Sequence, residues 1–198
     1  MATLSRTRAV TLIELLVGIG LSSTVLAGLV GVLAAQVTLH RRLEARAAAA
    51  QAVRLVLEVL SRDLRRAGFD PGAVGFAPVL GADGAGLLLQ SDDDGDGTID
   101  GRSQEATAYV FRPGSGVLQR AVGRQVMPLA EGLTEDGFSL TYLDETGVPI
   151  PAAGGIPEAD LRRIRHVAVT VSAGDAAGAH LVRAMTAVTL RTPGGPPP

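Results

Sequence analysis

The 198 residues include no cysteine. That excludes disulfides, even though an export compartment would permit them, and it excludes thiolate metal sites and a cysteine nucleophile. Tryptophan is also absent and aromatics make up 3% of the chain, so a core must be built from Leu, Val, Ile and Ala. There is no lysine; the 18 basic residues are all arginine. With a net charge of −2 and a pI of about 5.9, there is no electrostatic case for nucleic-acid binding. The three histidines, His40, His166 and His180, lie far apart. They form no Ser/His/Asp arrangement and no zinc-ligand spacing, and no phosphate-cradling glycine loop is present. A non-enzymatic role is expected.

A further absence organises the chain. No charged residue occurs from position 15 to position 39. A bilayer is crossed by ~20 mostly apolar residues, so this run predicts a membrane span. Arg6 and Arg8 precede it and place the N-terminus in the cytoplasm, with the rest of the chain outside it. Glu14 sits just inside the run. A charge at the centre of a membrane helix costs on the order of 3 kcal/mol on insertion scales, so such a residue usually has a function and a partner. A position at the wet headgroup interface is the plainer account of Glu14.

The sequence Val10-Thr11-Leu12-Ile13-Glu14, behind a short basic leader and ahead of a long apolar helix, resembles the processing site of type IV prepilins and type II secretion pseudopilins. The resemblance implies cleavage between Ala9 and Val10 by a prepilin peptidase, with methylation of the new N-terminus. It also implies that Glu14 pairs with the freed amine of a neighbouring subunit, since a buried carboxylate is tolerable when a cation answers it. The family usually carries Gly where Ala9 stands and Phe where Val10 stands. A secretory signal peptide fits less well, because its apolar core is shorter, ~7–15 residues.

Beyond position 39 the apolar residues become periodic. Leu43, Ala47, Ala50, Val53, Leu57, Leu60, Leu64 and Ala67 recur at three- and four-residue steps, the pattern of one helical face. Gly68 and Asp70-Pro71-Gly72 end the helix. The helix is expected to serve as a spine for a small sheet, the other reading being a coiled-coil seam between copies. Strands are expected over residues 86–90, 106–112, 117–120, 126–129, 138–143, 167–171 and 185–191, with a helical turn over 158–163. A helix followed by sequential strands predicts an α+β domain with a mainly antiparallel sheet. The chain then divides into a leader (1–9), a membrane half of the helix (10–37), an amphipathic half (38–67), a β-rich head (68–192) and a disordered tail (193–198).

The stretch Arg62-Asp63-Leu64-Arg65-Arg66-Ala67-Gly68-Phe69 extends the resemblance. W-type minor pilins and J-type pseudopilins often end this helix so, and follow it with an Asp/Gly-rich loop and a strand bearing a tyrosine, here Tyr109. What the resemblance implies is a minor pilin or pseudopilin, a structural subunit that initiates or caps a type IV pilus or type II secretion filament, partnered by other pilin or pseudopilin subunits. Its place would be the bacterial inner membrane, with the head periplasmic or extracellular. The competing function is a single-pass, calcium-binding surface protein that does not polymerise.

One stretch has the density for metal chemistry. Residues 92–100 carry five aspartates and match the start of an EF-hand-type loop, with oxygen ligands at alternating positions and glycine sixth. The candidate Ca2+ ligands are Asp92, Asp94, Asp96, Thr98 through its carbonyl, and Asp100. Ser103 stands where the bidentate glutamate belongs, and Glu105 lies two residues on. A solvated acidic turn is the other reading; repulsion among five carboxylates favours a cation.

Overall fold

The protein is described from a computed structural model covering residues 11–101, 103–174 and 181–191. The predicted leader, Ala9 and Val10, and the tail lie outside the described residues. The chain forms two compact units, residues 1–44 and residues 45–198.

Helix α1 runs Leu12–Arg66. In the first unit every described side chain of the helix is exposed, including each large apolar one from Leu12 to Leu43. It is long and apolar enough to cross a membrane.

In the second unit α1 is a core element. Ala49, Val53, Val56, Leu60, Leu64 and Ala67 are buried. This face is not quite the predicted one: Leu43 is 58% exposed and Ala47 is exposed, while Ala50 and Leu57 are only half buried. Residues 45–53 are so rich in alanine that periodicity alone does not choose a face there. The sheets choose it. The helix stops at Gly68, whose φ of +75° suits a residue without Cβ, and a Cβ there would stand 2.8 Å from Pro78 Cγ.

Among the described residues nine strands follow, in two antiparallel sheets. The first contains β1 (Val79–Ala82), β2 (Gly86–Gln90), β3 (Ala106–Arg112), β4 (Val117–Val122) and β5 (Gln125–Ala130), in that order. The second has the order β7-β6-β8-β9, from β6 (Leu133–Leu143), β7 (Pro149–Ile150), β8 (His166–Ala173) and β9 (Val182–Thr189). A one-turn helix, α2 (Glu158–Leu161), lies between β7 and β8. The α+β class is as expected. Strands β2 and β3 fall on the predicted residues, and β5 is an edge of its sheet. Sequence periodicity missed β1 and β7, the two shortest strands, and did not show that the strands divide into two sheets.

One continuous core joins α1 to both sheets. Val167, Val169 and Val171 of β8 are fully buried, as their alternation predicts. Phe111 of β3 meets Phe138 of β6 with ring centroids 6.0 Å apart. Tyr142 of β6 donates its hydroxyl to the carbonyls of Asp83 and Gly86 at 3.0 and 3.1 Å. Gly116 must be glycine: its φ is +62°, and a Cβ would sit 2.5 Å from the Leu133 carbonyl oxygen. The two sheets are thus connected by ring packing, hydroxyl bonds and one close backbone approach.

Candidate functional site

The side-chain groups that bear on function lie at the start of α1, at the end of α1, and in the acidic loop beyond β2.

At the start, Thr11 Oγ1 accepts the Glu14 amide at 3.3 Å, and Glu14 Oε2 accepts the Thr11 amide at 3.0 Å and its hydroxyl at 3.0 Å. This reciprocal pair is a capping box, which satisfies donors that a helix N-terminus otherwise leaves open. The Thr-x-x-Glu spacing is visible in the sequence, but the resemblance to prepilins assigns Glu14 only an intermolecular role. Glu14 is exposed, and it lines a shallow groove with Gly18 and Ser22 on one side of the helix.

At the far end of α1, Asp63 faces the first sheet. Tyr109 Oη donates to Asp63 Oδ2 at 2.5 Å, and Arg120 reaches the same oxygen through Nε and Nη2, each at 2.8 Å. Tyr109 and Arg120 are cross-strand partners on β3 and β4, so the strand register delivers both to one carboxylate. Tyr109 is fully buried. Burial pushes its pKa up, and the Asp63 charge adds to that. Sequence motifs single out Asp63 and Tyr109 but miss Arg120, whose placement depends on pairing across the sheet.

The acidic loop is anchored from below. Asp92 is completely buried. Its two carboxylate oxygens accept the amides of Gly95 and Gly97 at 2.7 and 3.0 Å. Asp94 Oδ1 accepts the Asp96 amide at 3.1 Å, and Asp96 Oδ1 accepts both the amide and the hydroxyl of Thr98 at 2.7 Å. Asp92, Asp94 and Asp96 each offer an oxygen within 4.8 Å of the others. Thr98 and Asp100 are exposed, and the Asp100 amide donates to Glu105 Oε2 at 2.8 Å. The structure therefore brings three of the five predicted ligands together.

Glu105 has a different part from the one its spacing suggests. A turn closed by the Ser103 amide on the Asp100 carbonyl, at 3.0 Å, swings it beneath the loop. There it is 5% exposed, and it also accepts the Asp93 amide at 3.3 Å and the Ser103 hydroxyl at 3.1 Å. Arg66, in the last turn of α1, donates Nε to Asp93 Oδ1 at 2.8 Å and pairs with the other oxygen through Nη2. The Asp92 amide bonds to the Phe69 carbonyl at 2.8 Å. The loop is thus tied to the end of the helix.

These contacts set the local charge. The Asp100 amide holds the Glu105 carboxyl below its ordinary value against the opposing effect of burial, with help from Ser103 and Asp93. The Thr98 hydroxyl and amide do the same for Asp96. Asp94 behaves oppositely. The Asp96 amide lowers its pKa, but desolvation and the charges of Asp96, Glu105 and Asp92 outweigh that and leave it raised. An all-oxygen donor set with an excess of negative charge fits a hard divalent cation such as Ca2+, with Asp92, Asp94 and Asp96 as the residues to hold it.

Among known proteins, the family described as PpdB, prepilin peptidase-dependent protein B, matches residues 42–145, just over half of the chain. The match begins at Arg42. It takes in the Asp63 network, the acidic loop and the first sheet, and leaves Thr11 and Glu14 outside. No curated protein matches the chain significantly.

Proposed function

The chain belongs to the prepilin peptidase-dependent protein B family, and on that premise we propose that it is a minor pilin or pseudopilin, a structural subunit that initiates or caps a type IV pilus or type II secretion filament. A pilin-related role follows from the family. The observation that carries the finer reading is the division of labour along α1. One half exposes every apolar side chain to its surroundings, and the other half is the buried spine of a folded head. A side chain such as Leu16 or Leu29, more than half exposed, is stable only in hydrocarbon or against other helices.

In this reading prepilin peptidase cuts between Ala9 and Val10, and the first half of α1 holds the subunit in the inner membrane. From there it packs among neighbouring helices. Glu14 acts both within its own chain and between chains. It completes the cap on Thr11, and its remaining charge attracts the amine of a neighbour. Gly18 and Ser22, lining the same groove as Glu14, let another helix approach closely at that point. The two-sheet head is presented for contacts outside the cytoplasm, and a Ca2+ ion held by Asp92, Asp94 and Asp96 would stiffen its loop. The role is structural rather than catalytic.

The test is the mature N-terminus. Mass spectrometry of the protein from its native membrane should find Val10 first, methylated, in cells with prepilin peptidase and an intact Met1 in cells without it. An uncut chain in both would leave the other reading, a membrane-anchored, calcium-binding surface protein that does not polymerise.

A further inference from the structure

Immediately after the charge-free run the sequence reads His40-Arg41-Arg42-Leu43-Glu44. All five side chains are exposed. Glu44 is the sole carboxylate between Glu14 and Glu58, and it meets His40 Nε2 at 3.0 Å. Arg41 and Arg42 have neither a hydrogen bond nor an ion pair with any of the described residues. Two adjacent guanidiniums thus stand exposed, with no side-chain partner among the described residues, at the end of a membrane-length apolar helix.

Their depth is fixed by the helix itself. Arg41 lies 27 residues beyond Glu14, about 40 Å along the axis at ~1.5 Å per residue. A bilayer with its headgroup regions is ~40–45 Å thick. When Glu14 is at one interface, Arg41 and Arg42 reach the phosphates of the other. A guanidinium is planar, weakly hydrated and rich in donors, and it matches phosphate oxygens in pairs. Basic residues flanking a span normally collect on the cytoplasmic side; this pair stands at the other end, remote from the N-terminus, where a phosphate-bearing headgroup of net negative charge is the chemistry that answers two guanidiniums.

We infer that Arg41 and Arg42 form a binding site for anionic phospholipid headgroups in the leaflet remote from the N-terminus, and that this contact sets the depth of α1 in the bilayer. The inference rests on the membrane-span reading of α1. The site selects phosphatidylglycerol-like headgroups over zwitterionic ones by charge, and it weakens with salt as exposed charges do.

The experiment uses the full chain in phosphatidylcholine vesicles doped with spin-labelled phosphatidylglycerol or spin-labelled phosphatidylcholine. The fraction of each label immobilised at the protein is read by electron spin resonance. The expected preference for phosphatidylglycerol is roughly five- to thirtyfold. It should fall toward one in the Arg41→Gln/Arg42→Gln variant, persist in Arg41→Lys/Arg42→Lys, and shrink in high salt. Equal immobilisation of the two lipids by the unaltered chain overturns the inference, as does a preference that survives the glutamine changes. If the glutamine variant keeps its lipid preference but loses cross-linking to a second copy, the arginines answer protein carboxylates and the lipid site is refuted. Extraction of the unaltered chain from the vesicles by alkaline carbonate would instead remove the span reading itself, so the two failures are distinguishable.

Discussion

Asp63 is the residue on which the join between helix and first sheet turns. It accepts from Tyr109 and Arg120 in a place where its side chain is 11% exposed and that of Arg120 22%. Removing one partner of such a pair leaves the other charge without an answer, which costs ~3–5 kcal/mol for buried pairs. Asp63→Ala should therefore lower stability by about 3 kcal/mol, read as a fall in melting temperature of the full chain in detergent. Tyr109→Phe removes two hydrogen bonds, the one donated to Asp63 and the one accepted from Arg120 Nε, and should cost about 2 kcal/mol. A loss below about 0.5 kcal/mol for Asp63→Ala, less than a typical single hydrogen bond, would show the network to be idle. Glu14 gives a second test at this scale, because its two roles separate by substitution. Glu14→Gln keeps an acceptor for the Thr11 amide and loses the charge; Glu14→Ala loses both. Both variants should enter the membrane and fail to incorporate into filaments or tip complexes, and only Glu14→Ala should also fray the start of α1 in amide hydrogen exchange. Normal incorporation of Glu14→Gln would show that the cap, not the charge, is what assembly needs.

The acidic loop is an element whose behaviour is set by its neighbours. The Asp94 carboxyl is raised by desolvation and then by the charges of Asp96, Glu105 and Asp92, and a cation bound by Asp92, Asp94 and Asp96 would relieve that repulsion. We propose that calcium raises the melting temperature of the protein over chelator. At ~100 times the dissociation constant the gain is about 2.7 kcal/mol. Asp94→Ala or Asp96→Ala should erase the shift, and identical melting curves at millimolar calcium and in chelator would identify the loop as a plain acidic turn. Magnesium should act weakly, because it demands a smaller and stricter octahedral site. Acid should act through Glu105. Its carboxyl is held below the ordinary value of 4.5, so its contribution is full above the unfolded value and disappears as pH falls through the lowered one. Without calcium, melting temperature should therefore drop on acidification below about pH 4.5, and the drop should be smaller in Glu105→Gln. Glu105→Gln should also lower stability at pH 7, since its NH2 must face one of the two amides, Asp93 or Asp100, that the carboxylate accepts.

At the scale of the whole molecule, the buried apolar residues among those described all lie at or beyond Ala49, within the second compact unit. That unit has its own core. A chain starting at Ala45 should be soluble without detergent and melt cooperatively, as single domains of this size do. A chain of that kind that aggregates or melts without cooperativity would show that the head depends on the first half of α1. The full chain, with its exposed Leu and Val side chains from Leu12 to Leu39, should instead require detergent or a bilayer.

Composition and periodicity alone were enough for the apolar span, the stop at Gly68, the α+β class and strands such as β2, β3 and β8. Each of these depends on neighbours in sequence: a charge-free run, a residue without Cβ, an alternation of period two. Pairing of residues 92, 94 and 96 was likewise local, because a tight loop can only turn those carboxylates toward one another. The buried face of α1 was legible at Val53, Leu60, Leu64 and Ala67 but not over residues 45–50, where an alanine-rich stretch leaves the choice of packed side to the sheets. Nor were the seat of Glu105 beneath the loop, the reach of Arg66 to Asp93, or the meeting of Tyr109 and Arg120 on Asp63. Those contacts join residues brought together by strand register and by the docking of the helix end, and tertiary structure alone decides them.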